Sequence, residues 1–329
     1  MIKRPASKFK HDKFKHCWQR DTRESNMLFL MKQRKRGSCN LTQALVSFIL
    51  VVYGIGSQAQ ERVIWHTADF APYFIQDGPY KGQGIADRRL QLVIAGLPQF
   101  DHQVISGVTP ARSNSEVVQK DNLCFVARIR TKAREQIMAF TEQPIIHTLS
   151  NGLITTRNRA ASLTPYLNKE GALSLREFLL RSPYRLGLTP GRSFGPGIDE
   201  VLNQVRPIRP QGMVEVEADN HFRSRLLKLL YQDGYQAILG YPEELDYFTE
   251  LLSLRGEELV YLPITEEPPL VAGHVACSKS DLGRRVVQAV DQLISQASFR
   301  QKVQDAYRHW LDPASLARYN RLLNRQSAQ

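Results

Sequence analysis

Residues Leu270 to Ser278 read LVAGHVACS. A long apolar run of this kind forms a strand buried on both faces. Two helical stretches follow it, Leu282 to Ala297 and Phe299 to Trp310. Two sets of alternating strand-like and helix-like segments precede it. The first set has strands at Arg62–Thr67, His102–Ser106, Leu123–Ile129 and Ser150–Thr156, with helices at Ile85–Leu97 and Ala111–Lys120. In Ile85–Leu97 the apolar residues Ile85, Leu90, Val93, Ile94 and Leu97 share one face. The second set has strands at Tyr184–Thr189, Met213–Val216, Ala237–Leu239 and Leu259–Leu262. Its helices are expected at Leu175–Leu180, Ile198–Val205, Phe222–Tyr231 and Glu243–Leu254. Alternation of strand and helix implies parallel sheets covered on both faces. A long strand after the second set lets the closing helices return to the first. The expected fold class is therefore α/β in two lobes, with the chain crossing between them twice.

The N-terminus indicates where such a body works. A basic cluster, KQRKR at Lys32–Arg36, precedes an apolar run from Leu45 to Val52, and Ser57 and Ala59 close the segment. Basic head, apolar middle and small-residue cleavage site make an export signal over 31–59, cut after Ala59. The apolar core, Ala44 to Ile55, is shorter than the roughly 20 residues of a spanning helix. Residues 1–30 read either as an unstructured leader extension or as an upstream misread start, in which case Met27 or Met31 is the first residue. The formal charge of +12 is concentrated here: residues 1–59 hold twelve Lys or Arg and three Asp or Glu, which leaves +3 for the other 270 residues. Nucleic acid is accordingly not an expected partner. The expected product is a periplasmic, soluble monomer. Of four cysteines, Cys17 and Cys39 fall in the leader region, leaving Cys124 and Cys277. In an oxidising compartment these two pair as a disulfide; the alternative is two buried thiols.

Several local patterns occur in one order. Residues 68–87, ADFAPYFIQDGPYKGQGIAD, place Phe70, Pro72 and Tyr73 before a Gly-rich turn and an acidic residue that opens a helix. Thr131-x-x-Arg134, Phe140-Thr141-x-x-Pro144 and the loop Gly191-Arg192-Ser193-Phe194-Gly195 follow, then Ala237-Ile238-Leu239-Gly240 beside Tyr241. Over residues 61–310 this order resembles the type II periplasmic solute-binding proteins, specifically the amino-acid-binding extracellular solute-binding protein family 3. The resemblance implies the periplasmic binding protein type II fold: mixed sheets, flanking helices and a double-crossover hinge. It places lobe 1 at 60–149 plus 272–329 and lobe 2 at 150–271, with a ligand between them. The family's carboxylate clamp falls on Arg134, beside Thr131; the alternative is a surface Arg paired with Glu135 or Glu142. A guanidinium suits a planar carboxylate because it forms two parallel charge-assisted bonds. Backbone N–H groups at Gly191–Gly195 would favour an anion at a helix start, with Ser193 as side-chain donor. Phe70 and Tyr73 would form an aromatic wall. Tyr241 takes the place where the family often has an Asp for an ammonium group, with Glu243 or Glu244 as substitutes only if the turn differs. The strand CFVARIR adds Arg128 and Arg130 where the family is rich in Ser. The expected ligand is thus a carboxylate or other small anion, delivered to an ABC permease or sensed by a kinase or cyclase partner.

An enzyme is the rival reading. Gly191-Arg192-Ser193-Phe194-Gly195 also fits a G-x-S-x-G nucleophile elbow, with Asp219 or Asp246 and His274 or His309 in triad order. Pro196-Gly197 delays the helix that an elbow requires at the nucleophile, and no HGG-type segment precedes it. Glu215, Glu217 and His221 are alternative acids or bases for a cleft enzyme. The histidines are scattered, without metal-ligand spacing. No catalytic residue, metal or cofactor is expected.

Overall fold

The computed structural model describes residues 60–189, 192–215, 226, 229, 234–254 and 259–327. Residues 1–59, where a leader and an export signal are expected, lie outside the described residues, with Cys17 and Cys39. So do Gly191, Glu217, Asp219, His221 and the helix expected at Phe222–Tyr231, apart from Leu226 and Leu229.

The crossing strand is observed with the bounds its sequence suggests. Eleven strands are described: β1 Arg62–His66, β2 Asp101–Ile105, β3 Leu123–Arg128, β4 Met138–Phe140, β5 Ile146–Leu149, β6 Gly152–Thr156, β7 Leu186–Leu188, β8 Met213–Glu215, β9 Ala237–Gly240, β10 Leu259–Pro263 and β11 Leu270–Ser278. The helices are α1 Ile85–Gly96, α2 Pro110–Glu116, α3 Lys132–Glu135, α4 Arg157–Ala161, α5 Leu175–Arg181, α6 Pro196–Val205, α7 Pro242–Leu251, α8 Asp281–Ser295, α9 Ala297–Arg308 and α10 Pro313–Ser327.

One sheet has the order β2-β1-β3-β11-β4, with β5 also paired to β11; the other has the order β10-β6-β9-β7-β8. The chain leaves the first sheet between β5 and β6 and returns between β10 and β11. Both sheets are mixed. β1 runs parallel to β2 and β3, whereas β11 is antiparallel to β3, β4 and β5. In the second sheet β7 is parallel to β8 and β9, whereas β6 is antiparallel to β9 and β10. The parallel arrangement implied by alternation therefore fails at the crossings. A strand returning to its lobe runs against the one that left it, and no helix separates β5 from β6.

Packing follows from the periods. On β6 and β9, Leu153 and Leu239 enter one core while their neighbours Ile154 and Ile238 enter another, as alternation on a doubly covered strand requires. Helix α8 buries Val286, Val287, Val290 and Ile294, a single stripe at helical spacing. Its first turn is capped by Ser280, whose Oγ accepts from Gly283 N at 2.9 Å. Cys124 on β3 and Cys277 on β11 are register partners joined by a disulfide. Sequence patterning did not reveal α10. Its Tyr319 is fully buried and donates to the His147 carbonyl at 2.9 Å. Among the described residues no helix is long and apolar enough to cross a membrane.

Candidate ligand-binding site

The segment Phe70–Gly84 is folded onto the start of α1. Ile85 N and Ala86 N donate to the carbonyls of Pro72 and Tyr73 at 2.9 and 2.7 Å. Asp87 Oδ2 accepts from Gly84 N at 3.0 Å and from Ile75 N at 2.9 Å. N–H groups that a helix start leaves free are thereby satisfied. A Cβ at residue 84 would stand 2.4 Å from the Tyr73 carbonyl oxygen, so this approach requires glycine. The anchored loop fixes Phe70 and Tyr73, whose rings stack with centroids 5.2 Å apart.

These rings border a cavity of about 540 Å³. It is walled by the ends of β1 and β3, the start of α2, and parts of β5 and β11, with Tyr241 from the second-sheet side. Arg128 lines it with its guanidinium 4.1 Å from the Phe125 ring centroid. Burial, and secondarily the Arg134 charge, pulls the Arg128 pKa down to about 10, so the group remains cationic at neutral pH. His66 is buried on the same wall, with Nδ1 3.4 Å from Ser113 Oγ. Burial lowers its pKa, which leaves the ring neutral near pH 7. Thr67 Oγ1 is buried without a hydrogen-bond partner among the described residues.

The two glutamates after Tyr241 are fully buried and both are engaged. Glu244 accepts from Tyr241 N at 2.9 Å and from Arg192 at 3.1–3.3 Å. The Arg192 guanidinium also lies over the Phe70 and Phe194 rings, at 5.6 and 5.3 Å. Glu243 accepts from the Tyr73 hydroxyl at 2.5 Å and from the Tyr307 hydroxyl at 3.0 Å. Tyr307 in turn accepts from Leu149 N at 2.9 Å, next to the first crossing. One carboxyl therefore ties α7, the aromatic loop and the crossing together. Both glutamates are thus engaged by the protein's own donors.

Burial pushes the Glu243 pKa up to about 7, against the hydrogen bonds from Tyr73 and Tyr307. An acid whose pKa is higher folded than unfolded stabilises the fold at low pH and loses that contribution as pH rises through the folded value. Stability is thus expected to fall by about 2 kcal/mol between pH 5 and pH 8 through this group. Urea unfolding across that range measures it. Glu243→Gln should flatten the profile, and an unchanged profile in the variant would remove Glu243 as its source.

Of the seven expected ligand residues, Phe70, Tyr73, Arg128 and Tyr241 line the cavity and Arg134, Thr131 and Ser193 do not. Arg134 donates to the Ile129 carbonyl at 2.8 Å. Thr131 caps α3, its Oγ1 accepting from Arg134 N at 3.3 Å. It is Arg130, not Arg134, that pairs with Glu135, at 2.5 Å. The anion expected at the start of α6 is supplied by the protein itself. Asp199 accepts from Ser193 Oγ at 2.5 Å and Phe194 N at 2.9 Å, and Glu267 accepts from Ile198 N at 2.9 Å. Gly195, at φ +125°, brings the backbone so close that a Cβ would meet Glu267 Oε1 at 2.4 Å. Helix α6 begins at Pro196, past Ser193, unlike a nucleophile elbow. His274, one of the triad candidates, packs against Thr141, with Nδ1 3.0 Å from its carbonyl oxygen. Among the described residues no group of three His, Cys, Asp or Glu is arranged to hold a metal ion.

No protein-family model and no curated protein matches the sequence. Solved structures match the fold. A histidine kinase sensor domain with similarity to periplasmic binding proteins aligns at TM-score 0.53 and 13% identity, over 77% of this chain and 99% of that one. A mutant of ArgBP from T. maritima aligns at TM-score 0.52 and 13% identity, over 76% and 94%. The periplasmic VFT2 domain of Bordetella pertussis BvgS aligns at TM-score 0.51 and 13% identity, over 76% and 93%. The fold is therefore that of the two-lobed periplasmic binding proteins: α/β, with mixed sheets and flanking helices.

Proposed function

We propose that the protein is exported to the periplasm, where it captures a small carboxylate or similar anion between two lobes, 60–149 with 272–329 and 150–271, by hinge closure. The observation that carries this reading is the cavity of about 540 Å³ walled by Phe70, Tyr73, Tyr241 and the cationic Arg128. A concave, mostly apolar site with a few placed polar groups is the usual form of a small-molecule site. The guanidinium supplies the carboxylate with paired charge-assisted bonds. Closure turns occupancy into a shape that a membrane partner recognises. Uptake through an ABC permease is the favoured role; a sensor partner is the second, because sensor domains and ABC-transporter binding domains both occur among the solved structures of this fold. In neither role does the protein catalyse a reaction or use a cofactor.

Thermal unfolding in the presence of carboxylic acids and amino acids tests the reading. A ligand that binds only the native state raises its stability by RT ln(1 + [L]/Kd), about 2.7 kcal/mol at a hundredfold excess over Kd. Acids are expected to stabilise the protein and Arg128→Met to abolish most of the effect. Arg134→Ala should weaken it less, since Arg134 bonds the Ile129 carbonyl. Preferential stabilisation by a basic amino acid would overturn the anion reading.

A further inference from the structure

A second guanidinium borders the same cavity. Arg89 lies on α1 four residues from Ile85 and four from Val93, on the face the helix buries. The residue is 1% exposed and lines the cavity. None of its three guanidinium nitrogens has a hydrogen-bond partner among the described residues. A buried guanidinium without bonded partners forfeits hydration for nothing in return, so such a group calls for a ligand, an ion or water. Burial pulls its pKa down to about 10, and it stays charged at neutral pH.

The groups around Arg89 are occupied elsewhere. The two oxygens of Glu243 accept from Tyr73 and Tyr307, and the Tyr319 hydroxyl donates to His147. These four residues act on Arg89 only through space. Arg128 lines the same cavity from a different element, as the last residue of β3. The cavity thus receives two guanidiniums from two elements, one from α1 and one from the end of β3.

We propose that the ligand carries two anionic groups on a short spacer, one held by Arg128 and the other by Arg89, which makes it a dicarboxylate-class solute. This rests on the reading of the cavity as a solute site. A second carboxylate would supply the guanidinium with the hydrogen bonds that the protein withholds.

Calorimetry compares succinate, glutarate and adipate with butyrate, pentanoate and hexanoate, the monoacids of equal length. At least one diacid should bind about tenfold or more tightly than its monoacid, the effect of one charge-assisted contact. Arg89→Met should reduce the ratio of diacid to monoacid affinity to about one, and Arg89→Lys should recover part of the difference. Equal binding of diacid and monoacid, or undiminished diacid binding in Arg89→Met, would overturn the inference and assign Arg89 to buried water, while the solute-site reading stands. Binding of neither series would end both. If Arg89→Met fails to fold, by circular dichroism, the diacid-to-monoacid ratio in the unmodified protein and in Arg89→Lys decides.

Discussion

Replacing Cys124 and Cys277 together by alanine is expected to lower the free energy of unfolding by about 3–5 kcal/mol. The bridge joins residues separated by 153 positions. Closing a loop of that size in the unfolded chain removes entropy equivalent to about 5 kcal/mol in the chain-entropy account, an upper figure because unfolded chains retain structure. Its position adds to the effect. β11 is the strand on which the chain returns to the first sheet, and the bridge fastens it to its register partner on β3. The packing of α8 against this sheet depends on β11 being held there. Chemical denaturation of the oxidised protein, the reduced protein and the double variant reads the difference. Coincident midpoints for oxidised and reduced protein would show that the bridge contributes nothing.

The second large effect is expected at Arg192. Its guanidinium makes three contacts of 3.1–3.3 Å with Glu244, which is fully buried. Arg192→Met keeps most of the side-chain volume and removes the charge. It leaves a buried carboxylate with only the Tyr241 N–H as donor among these contacts. Removing one member of a buried pair costs about 3–5 kcal/mol, because the other stays uncompensated in a poorly polarisable environment. Adding Glu244→Gln should recover much of the loss, since the amide carries no charge and its oxygen can still accept from the Tyr241 N–H. Urea denaturation of the two single variants and the double variant gives the coupling directly. A loss below about 1 kcal/mol in Arg192→Met would mean that solvent reaches Glu244 and the pair behaves as a surface one.

Legibility in the sequence varied with the range of the interaction. Apolar periods placed strands such as Leu270–Ser278 and helices such as Ile85–Leu97 within a few residues of their observed ends. Helix α10 was missed; its residues pack as a cap whose partner, the His147 region, lies far away in sequence. Cys124 and Cys277 were visible as a candidate pair, but only their register on β3 and β11 makes them neighbours. The start of α6 had the look of an anion site, and the nearest anions proved to be Asp199 and Glu267 of the same chain. Arg89 did leave a signal: a charged residue four positions from Ile85 and Val93, in the middle of an apolar face.

From the sequence alone came the succession of elements and the expectation of two lobes crossed twice, because side-chain periodicity and turn chemistry are local properties. Which polar groups meet was decided only by the tertiary structure. Arg89, Glu243 and Tyr307 lie on three helices far apart along the chain, and Glu243 bonds Tyr73 and Tyr307 across the junction of the two sheets. Local patterning carries no information about such partners. Burial gives each of these groups its energetic weight, since the desolvation that raises the Glu243 pKa and leaves Arg89 unpaired exists only once the chain has closed around them.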